Sequence, residues 1–345
     1  MLQRPILAIT MGDPAGVGPE IAFKALQDPK VYEDCIPVVV GESAALARAA
    51  EACGRQADLR PVASPKEAVG KPGAIELIDL GLLAGRPWAW GQVDPLCGDI
   101  AFRCVERAIQ LALKNEVHAV VTGPLNKEAM NLAGHHYAGH TEIFAALTGT
   151  KQVGMLLTSP TLRVIHVTTH VAMRQACDLV TTERVLKTIR LARQAMEMLG
   201  IERPRIAVAG LNAHCSENGL FGDEEEKWIA PAVRLAQGEG ILAEGPLPPD
   251  TVFVKAMGGQ YDIVVAMYHD QGHIPLKLSG FKMDPATGAF TSVSGVNTTI
   301  GLPIIRTSVD HGTAFDKAGK GVANEESLKD AVRMAVVMAR HKFSL

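Results

Sequence analysis

Short apolar runs alternate along the chain with segments whose apolar residues recur with the period of a helix. Such runs are typical of strands buried on both faces, and the periodic segments are typical of amphipathic helices. The predicted strands are 6–10, 36–41, 119–123, 154–158, 163–168, 205–210 and 262–268. The predicted helices are 19–27, 43–53, 101–114, 183–199, 225–240 and 326–342. The alternation predicts an α/β protein with a parallel or mixed sheet.

Three regions interrupt this pattern. Residues 279–297 are rich in turn-forming residues and have no clear period, which predicts either a flexible loop or a small hairpin. The Gly/Pro-rich connections 69–73 and 244–250 are candidate domain boundaries. After the second of them, the apolar residues 251–254 resemble a short strand.

Composition narrows the possible functions of the chain. Its 345 residues suffice for two domains or one large α/β unit. A net charge of −3, without a Lys/Arg cluster, argues against binding to nucleic acid or to an anionic membrane. The sequence has no apolar run long enough to span a bilayer and no signal-peptide pattern. Six scattered cysteines without a Cys-x-x-Cys pair predict reduced thiols in a cytoplasmic protein.

Histidines follow three of the predicted strands. His170 follows 163–168, His214 follows 205–210, and His269 follows 262–268 at once. Because ligands of open α/β sheets bind beyond the carboxyl ends of the strands, we expect the three imidazoles to share one site. Neutral imidazoles suit Zn, Co, Ni, Mn or Fe, and three of them leave coordination positions for a substrate.

Further side chains near these histidines have assignable roles. Asp250 and Asp270 could orient the ligands or hold water. His273 lies four residues after His269, a spacing that pairs ligands only on a helix. Gly272 and Pro275 predict that no helix forms there. The sequence therefore assigns His269 to the metal and His273 to the wall of the site.

Cationic residues at turns and strand ends indicate an anionic substrate. Lys127, Lys277 and Arg306 are the candidates. His140 and Thr141 come at the predicted start of a helix, where free backbone N–H groups favour a phosphate.

A glycine-rich turn follows the first predicted strand, with Gly12, Gly16 and Gly18. The spacing is not Gly-x-Gly-x-x-Gly, and Pro14 lies inside the turn. We therefore reject a Rossmann dinucleotide site here.

Several long motifs together resemble the 4-hydroxythreonine-4-phosphate dehydrogenase family, over about residues 5–340. The motifs are TMGDPAGVGPEI, TGPLNKEA, GHTE, HVTTHVAMR, NAHCSENGLFGDEE, PPDT, MYHDQGHIPLK and GLPIIRTSVDHGTAFDKAG. The resemblance implies an isocitrate/isopropylmalate dehydrogenase-like α/β fold, with a mixed sheet, helices on both faces and two subdomains around a central cleft. It implies one dehydrogenase unit, 1–345, with a cofactor side (1–140 plus 300–345) and a metal and dimer side (141–299).

The resemblance also implies roles for individual residues. Metal ligands, contributed jointly by the two subunits of a homodimer, would be His170, His214 and His269. Substrate-binding positions would be His140, Thr141, Lys277, Asn297 and Arg306. Carboxylates near the metal would be Asp250 and Asp270. Residues near the NAD would be His311, Gly312 and Asp316.

The chemistry that the resemblance implies is oxidation and decarboxylation of a phosphorylated four-carbon hydroxy acid. It needs NAD or NADP and one divalent metal, such as Zn, Mg, Mn or Co. Asp250, Asp270 and Lys277 are all candidates for the proton carrier.

The substrate is the point at which the chain departs from the family pattern. The pyridoxal-phosphate branch typically has Gly-Leu-Pro-Val-Leu-Lys after His-Asp-Gln, whereas this chain has Gly-His-Ile-Pro-Leu-Lys. The segment 281–294 is also longer than in most relatives. These differences favour 4-phospho-D-threonate or 4-phospho-D-erythronate, oxidised to dihydroxyacetone phosphate, with His273 as a residue for selectivity. The alternative is 4-phosphohydroxy-L-threonine, giving 3-amino-2-oxopropyl phosphate for pyridoxal phosphate (vitamin B6) synthesis.

Two other classes of function compete with a dehydrogenase. A phosphate acyltransferase shares the fold family, but it needs no metal and leaves the three strand-end histidines unexplained. A non-catalytic protein that binds metal or phosphate would not need the complete set of predicted site residues.

Overall fold

A computed structural model describes residues 3–286, 290–293 and 295–345. The strands are β1 (Ile6–Thr10), β2 (Ile36–Gly41), β3 (Asp58–Pro61), β4 (Ala74–Asp79), β5 (Ala119–Thr122), β6 (Gly154–Thr158), β7 (Arg163–His166), β8 (Ile206–Ala209), β9 (Ala243–Leu247), β10 (Ile263–Ala266), β11 (Phe281–Met283), β12 (Phe290–Val293), β13 (Val296–Ile300) and β14 (Arg306–Val309). The α-helices are α1 (Gly18–Ala25), α2 (Pro29–Asp34), α3 (Ser43–Ala52), α4 (Pro95–Leu113), α5 (Lys127–Leu132), α6 (His140–Leu147), α7 (Met173–Leu179), α8 (Thr182–Met198), α9 (Ala230–Gly238), α10 (Val252–Met257), α11 (His269–Gly280) and α12 (Glu326–Phe343).

The chain forms two compact units. Unit 1 contains Met1–Gln152 and Leu302–Leu345, and unit 2 contains Val153–Gly301. The predicted division into a cofactor side and a metal and dimer side assigns roles to these units that stay predictions.

Unit 1 is built on a parallel sheet with the strand order β3-β4-β2-β1-β5-β14. All residues of β5 and β14 are buried, as expected for strands covered on both faces. Helices α4 and α12 pack against the central strands. Helix α5 packs closely on α4 at Gly98, where a Cβ atom would lie 2.2 Å from the carbonyl carbon of Ala129.

Unit 2 contains a mixed sheet with the order β13-β6-β7-β10-β8-β9. Strand β6 is antiparallel to both β13 and β7, whereas β7, β10, β8 and β9 are parallel neighbours. Every residue of β8 and β10 is buried. The segments after β7, β10 and β8 therefore leave the sheet at the same edge.

One short strand prediction is wrong. Thr251 is the N-cap of helix α10 and residues 252–254 belong to it; the helix buries Val252, Phe253 and Ala256 in the core of unit 2 and leaves Val254 70% exposed. A short apolar run fits a strand and a buried helical turn equally well, and here the packing decides between them.

The prediction that Gly272 and Pro275 prevent a helix is also wrong. Both residues lie inside helix α11. Gln271 holds its first turn, because its Oε1 accepts a hydrogen bond from the N–H of Met267 at 2.7 Å and its Nε2 donates to the carbonyl of Gly210 at 2.8 Å. Tertiary contacts thus outweigh the unfavourable proline.

The segment 279–297 contains a small hairpin, one of the two predicted alternatives. Strands β11 and β12 pair antiparallel. Residues 287–289 and 294, which belong to the same predicted segment, lie outside the described residues. Strand β13 follows and pairs with β6, although the sequence pattern did not predict it.

Two further sequence expectations concern membranes and thiols. In the described ranges, no helix has both the length and the apolarity needed to cross a membrane. The six cysteines, at positions 35, 53, 97, 104, 177 and 215, are free.

The contact at Gly98 leads to a stability prediction. Gly98→Ala forces a Cβ atom into the backbone of α5, so it should lower the free energy of unfolding by about 1–3 kcal/mol. Gly238→Ala is the matched control, because a Cβ at this helical glycine meets no atom within 4 Å. The control should be neutral or stabilising by up to about 1 kcal/mol. Calorimetric melting of both variants tests the packing, and an equally stable Gly98→Ala variant would contradict it.

Candidate active site

Adjacent parallel strands deliver the three predicted metal-binding histidines. His170 follows β7, His269 is the first residue of α11 after β10, and His214 lies in a short 3₁₀ turn after β8. The order β7-β10-β8 places these segments side by side at one edge of the sheet of unit 2. This is the edge at which α/β sheets bind ligands.

Two of the histidines line one cavity. The ring centroids of His170 and His269 are 5.7 Å apart. The cavity has a volume of about 460 Å³, and its lining includes Thr169, Met173 and Asp270. Both imidazoles are accessible from solvent, so a ligand can reach their nitrogen atoms.

His214 belongs to an unusual stretch of backbone. Residues 214–218 all have positive φ, with values of 52°, 62°, 59°, 43° and 55°. Each non-glycine residue in this conformation costs about 1–2 kcal/mol. The buried carboxylate of Glu225 anchors the start of the turn, since it accepts hydrogen bonds from the N–H groups of Leu211 and Asn212, both at 2.7 Å. A strained turn held by a buried carboxylate is typical of a functional site at which the backbone fixes the orientation of a side chain.

Carboxylates contact two of the three imidazoles. Oδ1 of Asp270 is 2.7 Å from Nδ1 of His269, and Oδ2 of Asp250 is 3.7 Å from Nδ1 of His214. The contact of Asp270 is a hydrogen bond, which fixes the tautomer of His269 and leaves its Nε2 as the metal-binding atom, whereas Asp250 lies beyond hydrogen-bond distance of His214. The donor set therefore suits a divalent metal. Within the described part of one chain, however, no three His, Cys, Asp or Glu side chains are grouped closely enough to hold an ion.

His273 lies beneath His269. The two rings are stacked, with centroids 3.6 Å apart and planes 11° from parallel, and His273 is only 9% exposed. Its Nδ1 is 2.9 Å from the carbonyl oxygen of His269. The structure therefore places His273 behind a predicted ligand, and any effect on a substrate must pass largely through the His269 ring.

Unit 1 contains a group of cationic side chains around Arg306. Nε and Nη2 of Arg306 donate to Oγ1 of Thr122 at 3.2 and 2.8 Å, and its guanidinium carbon lies 5.6 Å from the ring centroid of Phe144. Burial lowers the pKa of Arg306 to about 9, partly offset by the charge of Glu142. The side chain thus keeps its charge at neutral pH although it is 2% exposed, so it attracts anions.

His140 and Lys127 belong to the same group. His140 is the first residue of α6, and its Nε2 is buried without a hydrogen-bond partner among the described residues. Burial lowers the pKa of His140 well below its ordinary value, and the charges of Arg306 and Lys127 lower it further. The imidazole is therefore neutral. Thr141 follows at the amino end of the helix, where backbone N–H groups also favour an anion.

Two predicted substrate residues belong to unit 2. Lys277 lies in the last turn of α11, with Nζ 4.5 Å from the ring centroid of Phe281. Asn297 lies on β13 opposite Leu157, and its Oδ1 is buried without a hydrogen-bond partner among the described residues.

The predicted cofactor residues His311, Gly312 and Asp316 lie between β14 and α12. Helix α1 holds the end of this connection, because Glu20 accepts hydrogen bonds from the N–H groups of residues 321 and 323 at 3.2 and 2.6 Å. Lys24 donates to the carbonyls of the same two residues at 2.8 and 2.7 Å. The glycine-rich turn contacts the same connection, because the N–H of Val17 donates to the carbonyl of Thr313 at 2.9 Å.

The chain matches known proteins along almost its whole length. The family model described as "Pyridoxal phosphate biosynthetic protein PdxA" matches residues 33–335. D-threonate 4-phosphate dehydrogenase of Salmonella typhimurium is 48% identical over 339 residues, covering 98% of this chain and 100% of the relative. 4-Hydroxythreonine-4-phosphate dehydrogenase of Trichlorobacter lovleyi is 46% identical over 340 residues, covering 97% of this chain and 98% of the relative.

Solved structures confirm the predicted fold class. The crystal structure of 4-hydroxythreonine-4-phosphate dehydrogenase from Klebsiella pneumoniae has a TM-score of 0.87 at 47% identity, with 98% of both chains covered. A β-decarboxylating dehydrogenase from Thermococcus kodakarensis has a TM-score of 0.51 at 13% identity, covering 99% of this chain and 84% of the other. The second match shows a shared fold alone.

Sequence reasoning missed several buried polar groups, of which Asp13 is the most unusual. It lies in the glycine-rich turn and is completely buried. Its Oδ1 accepts a hydrogen bond from the N–H of Ala15 at 2.8 Å, whereas Oδ2 has no partner among the described residues. Burial raises the pKa of Asp13 to about 7. The motif contains a carboxylate, but nothing in the motif indicates that it is buried.

Asp13 leads to a prediction on pH dependence. An unfolded Asp13 loses its proton near pH 3.8 and the folded one near pH 7, so the folded state binds an extra proton between these values. The folding stability due to Asp13 therefore falls as pH rises through this window. Between pH 5 and pH 8 the wild type should lose about 2–3 kcal/mol more than Asp13→Asn, which does not titrate. Parallel changes in melting temperature for the two proteins would contradict the assignment.

Proposed function

We propose a substrate for this chain, which belongs to the PdxA family and is a dehydrogenase that oxidises a CH–OH group of a phosphorylated hydroxy acid. The substrate is 4-phospho-D-threonate or 4-phospho-D-erythronate. Oxidation of the C3 hydroxyl gives a β-keto acid, and loss of its carboxylate as CO₂ leaves dihydroxyacetone phosphate. The alternative is 4-phosphohydroxy-L-threonine, which gives 3-amino-2-oxopropyl phosphate.

The observation that carries the choice of substrate is the local sequence Gly-His-Ile-Pro-Leu-Lys, which places His273 under His269. Overall sequence identity does not distinguish the two candidate substrates, because relatives with the two different names are 48% and 46% identical to this chain. A residue that differs between the branches and contacts a predicted ligand is a physical reason for different selectivity. We therefore place this chain with the D-threonate 4-phosphate dehydrogenases.

The cationic group of unit 1 has the chemistry needed for the phosphate of such a substrate. Arg306 keeps its charge in a buried position. Lys127, the first residue of α5, reaches the start of α6, with its Cε 3.7 Å from where a Cβ of Gly139 would be, and both charges act on His140. Arginine and lysine bind phosphate through charge-assisted hydrogen bonds. Neutral His140 can donate a hydrogen bond to the phosphate or accept one from a substrate hydroxyl.

The histidines at the sheet edge of unit 2 are proposed as the ligands of one divalent metal: His170, His214 and His269. When bound, Zn, Mg, Mn or Co supplies Lewis-acid stabilisation of negative charge on the substrate oxygens. Asp270 orients the His269 ring through its hydrogen bond to Nδ1, and Asp250 lies 3.7 Å from Nδ1 of His214. Asp250, Asp270 and Lys277 remain the candidates for carrying the proton.

A nicotinamide cofactor, NAD or NADP, supplies the hydride acceptor. The residues proposed to lie beside it are His311, Gly312 and Asp316. Gly312 is exposed, and a Cβ there meets no atom within 4 Å, so the backbone leaves room for a ligand. The bond from the N–H of Val17 to the carbonyl of Thr313 holds the segment next to Gly312, and Glu20 and Lys24 hold its far end.

We propose that the protein is a homodimer formed through unit 2. Helix α11 exposes Ile274 and Leu278, one helical turn apart, at 57% and 78%. Met173 and Val254 in the same unit are 55% and 70% exposed. Ile274 and Leu278 lie on one face of the helix that begins at the proposed ligand His269, and an exposed apolar face beside the incomplete site favours an interface there. A second subunit would also explain why one chain does not complete the metal site.

The dimer proposal predicts that Leu278→Glu dissociates the protein into monomers and lowers kcat by at least about a hundredfold, because a buried unpaired charge opposes association. Leu235→Glu is the control, since this leucine is 52% exposed on α9. It should leave mass and activity unchanged. Sedimentation velocity gives the mass of each variant, and a dimeric Leu278→Glu protein with full activity would rule out this interface.

The substrate proposal is tested by measuring reduction of NAD and NADP with each of the three phosphorylated acids, in the presence of Zn, Mg, Mn or Co. We expect kcat/KM for the better sugar-acid phosphate to exceed that for 4-phosphohydroxy-L-threonine by at least about tenfold. A preference for the amino acid would favour the alternative function. Activity with none of the three would refute the substrate class.

A further inference from the structure

Four imidazole rings form a continuous series from the core of unit 2 to the candidate metal site. The ring centroids are 4.7 Å apart for His166 and His273, 3.6 Å for His273 and His269, and 5.7 Å for His269 and His170. Exposure increases along the series, from 4% for His166 and 9% for His273 to exposed His170. The inner ring, His166, is not among the residues proposed to bind metal, substrate or cofactor.

The stability of the fold does not explain why a histidine occupies position 166. His166 is the last residue of β7, and its Nδ1 makes only a long contact of 3.4 Å to the carbonyl of Met155. Its Nε2 is buried without a hydrogen-bond partner among the described residues. Such an atom costs about 1–3 kcal/mol, which a leucine of similar volume would not lose. Burial lowers the pKa of His166 to about 3, so the ring is neutral at working pH.

The ring of His166 determines how closely α11 approaches the sheet. A Cβ atom at Gly272 would lie 2.3 Å from Nε2 of His166 and 2.6 Å from Cγ1 of Val164. Only glycine therefore fits at this point, and the helix rests on the edge of the imidazole. The amino-terminal part of α11, which carries His269 and His273, is located by this contact together with that of Val164.

The orientation of His269 is fixed from two sides. The carbonyl oxygen of His269 can only accept a hydrogen bond, so Nδ1 of His273 carries the proton and donates to it. This bond holds the His273 ring flat against the His269 ring, whose own Nδ1 is held by Asp270. The plane of His269 thus depends on His273, and the second ring that contacts His273 is His166.

We infer that His166 is a positioning residue that, through His273 and Gly272, sets the direction in which Nε2 of His269 points into the site. The inference rests on the proposed function, because it makes His166 part of the device that distinguishes the substrates of the two branches. His166 itself touches neither substrate nor metal.

The test compares His166→Leu with His118→Leu. His118 is a half-buried histidine of unit 1, whose Nδ1 accepts a hydrogen bond from the N–H of Ile6, and it is placed in no site. Two quantities are measured: the affinity for Co²⁺ by titration calorimetry, and the ratio of kcat/KM for 4-phospho-D-threonate and 4-phosphohydroxy-L-threonine. In His166→Leu we expect each to change by about fivefold to tenfold, with an unchanged or higher Tm. In His118→Leu we expect a lower Tm and neither change.

A double-mutant cycle with His273→Leu shows whether the effect passes through His273. The selectivity change caused by His166→Leu should disappear in the His273→Leu background. Gly272→Ala disturbs the same contact from the helix side and should reproduce the effects of His166→Leu. If His166→Leu fails to fold, this variant still tests the inference. Unchanged Co²⁺ affinity and selectivity in the folded variants, or additive effects in the cycle, would overturn the inference.

Failure of the proposed function can be told apart from failure of this inference. If the wild type oxidises none of the phosphorylated acids, the substrate assignment is lost, but the Co²⁺ affinities of wild type, His166→Leu and Gly272→Ala still decide the role of His166. If the wild type has the expected preference and neither variant alters it or the Co²⁺ affinity, the proposed function stands and the positioning role does not.

Discussion

Parallel pairing of β7 with β10, and of β10 with β8, forces the segments that follow these strands to leave the sheet of unit 2 at one edge. The candidate metal site depends on this constraint, because its three histidines are 44 and 55 residues apart in sequence. All residues of β8 and β10 are buried, so a shift of one residue in register would move every side chain to the opposite packed face and disrupt the packing of both faces. The core packing that stabilises the sheet therefore also holds the histidine-bearing segments together.

Buried carboxylates hold the loops, and buried polar atoms without partners concentrate at the candidate sites. Four glutamates each accept hydrogen bonds from two backbone N–H groups of a loop: Glu20, Glu42, Glu76 and Glu225. Glu225 supports the strained turn of His214, and Glu20 supports the proposed cofactor segment. By contrast, His140 and His166 each have a buried Nε2 without a partner among the described residues. An unpaired buried nitrogen costs stability, so its presence at these positions is better explained by function than by folding.

The sequence pattern predicted the buried strands well, because an uninterrupted apolar run identifies a strand covered on both faces. It also predicted that histidines collect at the strand ends. It failed for 251–254 and for α11, where packing against the sheet decides between helix and extended chain. The contact between Gly272 and His166 joins residues 106 positions apart (272 minus 166), so no local pattern reveals it. The motif alone could suggest that His273 affects selectivity, but only the structure shows that its ring lies beneath that of His269.

The position of His273 bears on how a family can change its substrate while it keeps its chemistry. Metal ligands and phosphate-binding cations must stay, since their loss removes the reaction itself. A ring behind a ligand can vary, because it alters the direction of a nitrogen atom without altering the set of donor atoms. Two relatives of nearly equal identity to this chain have different substrate names, as expected if few positions decide the preference. Under the proposed function, the pair His166 and His273 occupies such a position: it contacts the ligand-bearing part of α11, and its replacement would redirect His269 while the chain keeps every proposed ligand residue.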